Sequence, residues 1–272
     1  MKQVIESQNI SRRHFMSLAG GAAGIAALSA MGISTGWASN LTRVNVDTIN
    51  SQENTTDVLV IGGGMAGLFA AIKAHDAGAR VMVVSKGRLG SSGQTPFAKG
   101  IFAYDPVTTK VTLDEFVNKV SRSALGTNNP VYTRQMAEHS LARVNDLKQW
   151  GFFDSPLYNK CFMKPIKERN IPVKERIVIT HLIKDDGHIA GAAGFSLDDD
   201  KILFFKAKSV ILCTGAGGFK PNGFPICDLT HDGTVMAYNI GAKVTGKEWN
   251  DGHPGQAKNA ASCFDGWHGM FE

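Results

Sequence analysis

The sequence predicts an α/β fold with a largely parallel sheet at its centre. Three runs carry this reading: Val58 to Ile61 with glycines behind it, Val81 to Val84 one helix-length further on, and Val210 to Cys213, which again ends in glycines. Uninterrupted apolar runs of four residues suit strands buried on both faces, as the strands of a parallel sheet are.

The first strand spans residues 57–61. Gly62, Gly64 and Gly67 follow at G-x-G-x-x-G spacing, and residues 68–75 read as a helix. Gly62 permits the tight strand-to-helix turn, Gly64 lets a pyrophosphate reach the backbone, and Gly67 lets helix and strand pack closely. Met65 and Ala66 lie where free N–H groups and the positive end of the helix dipole face a phosphate. A purely structural glycine turn is the alternative. The strand–turn–helix–strand context favours a Rossmann-like dinucleotide site. The second strand closes on Ser85 and Lys86, where nicotinamide-binding domains place an acid for the ribose hydroxyls. A serine hydroxyl can still bond a ribose, and the lysine can approach an anionic phosphate. Residues 87–100 are too polar and Gly-rich for regular structure and read as a loop.

Residues 112–123 and 129–149 read as helices. The second takes Asn129 as N-cap and Pro130 at its first position, with Ala137, Leu141, Val144 and Leu147 as its apolar face and a stop at Gly151. Residues 160–176 hold six basic side chains against Glu168 and Glu175, a local +4 read as a solvated face. Residues 176–182, 189–197 and 202–205 read as the three strands of a meander. Asp185-Asp186-Gly187 and Asp198-Asp199-Asp200 supply its turns. Residues 209–213 return to the sheet and end in Thr214-Gly215-Ala216-Gly217-Gly218. Residues 230–234 then open a helix that stops at Gly241.

Of the net charge of +5, the first 38 residues carry +2 (Lys2, Arg12 and Arg13 against Glu6). The remaining +3 is too little to argue for nucleic acid as a partner. The four cysteines, Cys161, Cys213, Cys227 and Cys263, form no C-x-x-C pair, so a zinc ribbon, an iron–sulfur cluster and a c-type haem are not expected, nor any metal site. Cys213 reads as a small core residue. Residues 1–38 stand outside the fold. Ser11-Arg12-Arg13-His14-Phe15-Met16, the uncharged Ala- and Gly-rich stretch behind it and the small residues up to Ala38 resemble a twin-arginine (Tat) signal peptide. That implies the Tat translocase as a transient partner and a periplasmic location. An uncleaved membrane anchor is the alternative, disfavoured by the many glycines and serines. Residues 39–56 are polar and read as a linker.

Residues 57–100 resemble the FAD-binding start of the fumarate reductase/succinate dehydrogenase flavoproteins, where Ser-Lys at the end of the second strand is common. Membrane-bound members follow it with Ser-His-Thr, whose histidine holds FAD covalently. The matching triplet here is Gly93-Gln94-Thr95. Glutamine forms no histidyl bond, so the resemblance implies non-covalent FAD. Thr214 and Gly215 resemble the family's second flavin signature. Asp232 matches the aspartate of the family's Gly-Asp-Gly, and with Gly233 it would approach the ribityl and phosphate region. His253, before Pro254, lies where dicarboxylate-handling relatives contact substrate.

The resemblance runs to Pro254, whereas family members are far longer. It implies that 57–272 is an incomplete FAD-binding domain: the β-meander insert is present, but the capping domain and the C-terminal FAD segment are absent. The expectation is the N-terminal part of a longer reading frame. The implied chemistry is hydride exchange between flavin N5 and an activated C–C bond of a small acid, a dicarboxylate being favoured. Electrons would come from a separate cytochrome or iron–sulfur protein. No residue present reads as the proton donor, so the catalytic residues are unassigned. The alternatives are a flavin-binding fragment without turnover, or a relative acting on an amino acid, a ketosteroid, urocanate or adenylylsulfate.

Overall fold

The computed structural model describes residues 50–90, 93–97, 103–153, 158–217 and 229–245. Strand β1 (Ser51–Ile61) leads into helix α1 (Met65–Asp76) and strand β2 (Val81–Val84). Short α2 (Pro106–Thr109), α3 (Leu113–Ser123), α4 (Pro130–Gln149) and α5 (Tyr158–Glu168) follow. Then come β3 (Val173–Lys174), β4 (Ile177–Asp185), β5 (His188–Ser196), β6 (Ile202–Leu212) and α6 (Asp232–Asn239). One six-stranded sheet runs β3-β2-β1-β6-β5-β4. β3, β2, β1 and β6 are parallel, and β6, β5 and β4 are antiparallel. A Rossmann-like parallel core and a meander thus share one continuous sheet.

The strand alternation divides the core between the two faces. Val60 and Val83 pack with Leu68, Ile72, Phe162 and Ile166 of α1 and α5. Leu59, Ile61 and Val84 pack with Ile179, Phe205 and Met236 on the opposite face. Leu59 and Val60 are both 0% exposed, so neither face of β1 meets water at its carboxyl end. Each such side chain contributes about 1.5–3 kcal/mol.

Several expectations are corrected. Residues 51–56, expected as linker, are strand: Ser51 to Thr56 pair in register with Ile202 to Ala207. Their polar sequence carries no apolar pattern because backbone bonds hold them, and only Thr56 among them is buried. Residues 202–205 and 209–213, expected as separate strands, form the single β6, which ends at Leu212. Lys206 and Lys208 interrupt its apolar pattern only because their side chains are exposed. The solvated face expected over 160–176 is half core, since α5 buries Cys161, Phe162, Pro165 and Ile166. Arg169 pairs with Asp76 at 2.7 Å, and Arg176 with Asp198. Leu141, expected to be buried, is 36% exposed, whereas Ala137 and Leu147 are buried.

The helix ends follow local chemistry. Asn129 accepts from the Val131 N–H with Pro130 behind it, and Thr112 with Glu115 makes a reciprocal capping box. Asp186 and Gly187, both at positive φ, make the two-residue β4–β5 turn. Among the described residues no helix is long and apolar enough to cross a membrane.

Candidate functional site: a dinucleotide cleft

The carboxyl ends of β1, β2 and β6 open into a cleft of about 690 Å³, a size usual for ligand pockets. Gly62 makes the turn out of β1 at φ +119°, and a Cβ there would stand 2.1 Å from the Cys213 carbonyl oxygen. A Cβ on Gly67 would stand 1.9 Å from the Gly62 carbonyl, so this glycine sets helix-to-strand packing. Gly64, the N-cap of α1, offers no capping side chain. The adjacent Met65 N–H instead donates to the Thr95 hydroxyl at 3.0 Å.

Ser85 is 3% exposed, and its hydroxyl would lie 2.7 Å from a Cβ on Gly63. Its backbone joins Lys174 and Ile177, so the end of β2 is tied to β3 and to the start of β4. Glu175 accepts from the Leu89 N–H at 2.8 Å and fixes the following loop. Lys86 Nζ donates to Asp232 Oδ2 at 2.8 Å and to Thr230 Oγ1 at 2.9 Å. Its charge therefore meets Asp232, where sequence reasoning aimed it at a phosphate. The Thr214 hydroxyl lies against Gly233, where a Cβ would come within 2.1 Å. Burial pushes the Cys213 thiol up, keeping it protonated at neutral pH.

Gly62, Gly64, Met65, Ala66, Ser85, Lys86, Gly93, Gln94, Thr95, Thr214, Gly215, Asp232 and Gly233 all line this one cleft. Gly67 does not. His253 and the twin-arginine segment lie outside the described residues, as do Cys227 and Cys263. Sequence reasoning missed Ile177 and Ile179 of β4 and Lys243, Val244 and Thr245 beyond α6, all lining the cleft. It also missed Thr230 and Glu175. Only Thr230 carried a signal, two residues before the aspartate of the motif.

A model of the FAD binding domain family matches residues 57–160. The CoM/CoB fumarate reductase of Methanothermobacter marburgensis has a chain 28% identical over 232 residues, 73% of this chain and 42% of that one. The chain is thus similar to the fumarate reductase/succinate dehydrogenase flavoproteins.

The L-aspartate oxidase of Yersinia pestis is 26% identical over 249 residues, covering 75% of this chain and 46% of the oxidase. The structure of adenylylsulfate reductase from Archaeoglobus fulgidus superimposes with a TM-score of 0.62 at 26% identity, over 72% of this chain and 37% of that one. The chain thus spans less than half the length of these relatives. Its site suits FAD, the family's cofactor. The α1 N-terminus opens on the cleft through side-chain-free Gly62, Gly63 and Gly64. A Cβ on Gly64 would have only Thr95 Oγ1, 3.3 Å away, within 4 Å. That leaves the room a diphosphate needs to reach the backbone.

Proposed function

We propose that this chain carries the FAD site of a fumarate-reductase-type oxidoreductase acting on an activated C–C bond of a small, dicarboxylate-like acid. The observation that carries the reading is one cleft joining two glycine signatures about 150 residues apart, lined by Gly62 to Ala66 from the first and by Thr214 and Gly215 from the second. When bound, FAD supplies the hydride acceptor or donor. The chain's own groups bind and orient. The α1 N-terminus presents N–H donors to anionic oxygens, Lys86 holds Asp232 in the cleft wall, and Thr95 and Thr214 offer hydroxyls to sugar-like hydroxyls. Ile61, Ile177, Ile179 and Leu212 line the cleft with apolar surface that excludes water. With Gln94 at the place of the linking histidine, the flavin is held non-covalently. We further propose export by the Tat route to the periplasm and electron supply from a separate cytochrome or iron–sulfur protein.

The test is purification of the chain, a visible spectrum, and fumarate reduction with a reduced dye. Bound flavin with turnover is the expected result. Bound flavin without fumarate turnover moves the reading to another substrate or to a binding fragment, and no flavin overturns it.

A further inference from the structure

Thr230, Asp232 and Lys86 make a closed triangle. Lys86 Nζ donates to Thr230 Oγ1 at 2.9 Å and to Asp232 Oδ2 at 2.8 Å, while the Thr230 hydroxyl donates to Asp232 Oδ1 at 2.8 Å. The lysine comes from the end of β2, and the other two from the start of α6, some 146 residues later. Two of the three ammonium donors are thus spent, and both carboxylate oxygens are engaged. Thr230 is held from behind as well, since its backbone bridges Gly217. The left-handed turn at His231 (φ +58°) then brings the hydroxyl and the carboxylate to the same ammonium. Such a backbone is costly for a residue other than glycine and persists where the surroundings over-determine it. Thr230 itself does not line the cleft, whereas Lys86 and Asp232 do.

We propose that Thr230 is a positioning residue for the cofactor, an assignment that rests on the FAD reading above. Its hydroxyl locks Lys86 and Asp232 into one clasp that sets the cleft wall before flavin arrives. Among the described lining residues the charged ones are Lys86, Lys243 and Asp232, so the clasp also decides how much free positive charge a diphosphate meets. Without the hydroxyl, the flexible lysine stem leaves its place and the carboxylate loses a partner.

Thr230 is exposed and extended, so Thr230→Val keeps shape and backbone preference while deleting the hydroxyl. Apoprotein would be titrated with FAD by fluorescence quenching. T230V is expected to bind roughly three- to tenfold more weakly, and T230S as wild type. Lys86→Met and Thr230→Val are expected to be non-additive, with the double variant no weaker than K86M alone. Acetylation of Lys86 by limiting acetic anhydride, read by mass spectrometry without flavin, is expected to rise in T230V. Wild-type affinity in T230V, or fully multiplicative effects, would overturn the assignment even if acetylation rises. Unchanged acetylation would overturn the clasp itself. A wild-type chain that takes up no FAD would defeat the flavin reading and this assignment with it.

Discussion

A methyl group on Gly67 would stand 1.9 Å from the carbonyl oxygen of Gly62, well inside van der Waals contact. The clash is with backbone, so no side-chain rotation relieves it, and α1 must move off β1. Gly67→Ala is expected to destabilise the fold by at least about 2 kcal/mol. Chemical denaturation checks this, and a wild-type midpoint would count against the packing described.

Gly64 behaves differently. Its φ of −82° suits any residue, and a Cβ there would approach only Thr95 Oγ1, at 3.3 Å. Gly64→Ala is expected to fold with an unchanged unfolding midpoint but to bind flavin at least about tenfold more weakly, since the methyl occupies the diphosphate's approach. A variant that lost stability and affinity together would show that this glycine serves the turn alone.

These two glycines also show what was legible in the sequence. G-x-G-x-x-G after an apolar strand specifies a local geometry, so the turn, α1 and the position of the cleft could be read directly. The elements that stayed hidden owe their structure to distant partners. The polar stretch 51–56 becomes strand only because β6 lies beside it. In α5 the lysines and Pro165 hide a face formed by Cys161, Phe162 and Ile166, packed on α1. Lys86 was legible as a cleft residue, but its bond to Asp232 was not, because a separation of 146 residues leaves no local pattern.

Near the middle of β1, Asp57 accepts from the Arg80 backbone N–H, Nε and Nη2 and pairs with Lys208 Nζ at 2.9 Å. The Arg80 and Lys208 bonds hold its carboxyl well below the usual carboxylate range. A depressed folded value means the stabilisation is present above the unfolded value of about 4 and is lost as pH falls below it. Thermal unfolding followed from neutral pH downward should therefore show midpoints dropping below about pH 4. Asp57→Asn is expected to flatten that drop, and added salt to reduce it, because Arg80 and Lys208 are largely exposed. An Asp57→Asn protein with the wild-type acid limb would assign the loss to other carboxylates.

The start of α3 gives a narrower test. Thr112 Oγ1 accepts from the Glu115 N–H at 3.3 Å, and the Glu115 carboxylate takes the Thr112 N–H at 2.7 Å. Thr112→Ala is expected to cost about 1 kcal/mol and Thr112→Ser almost nothing, measured by denaturant midpoint. Equal losses would point to the threonine methyl rather than the cap.

Gln94 lines the cleft, at the place where the sequence resemblance puts the histidine that links FAD in membrane-bound flavoproteins of this kind. A covalent link at such a site needs a nucleophile, and an amide nitrogen is not one. Among the described lining residues there is no histidine or tyrosine to substitute for it. Cys213, the sulfur nearest in chemistry, keeps its proton because burial pushes the thiol up. Flavin loaded into this chain is therefore expected to dissociate completely when the protein is precipitated with acid, leaving a colourless pellet and a yellow supernatant. Yellow retained in the pellet would require a nucleophile outside the described residues and would end the non-covalent reading. Gln94→His supplies the ring nitrogen that glutamine lacks, so any retention gained in that variant alone would place residue 94 against the flavin ring rather than its phosphates.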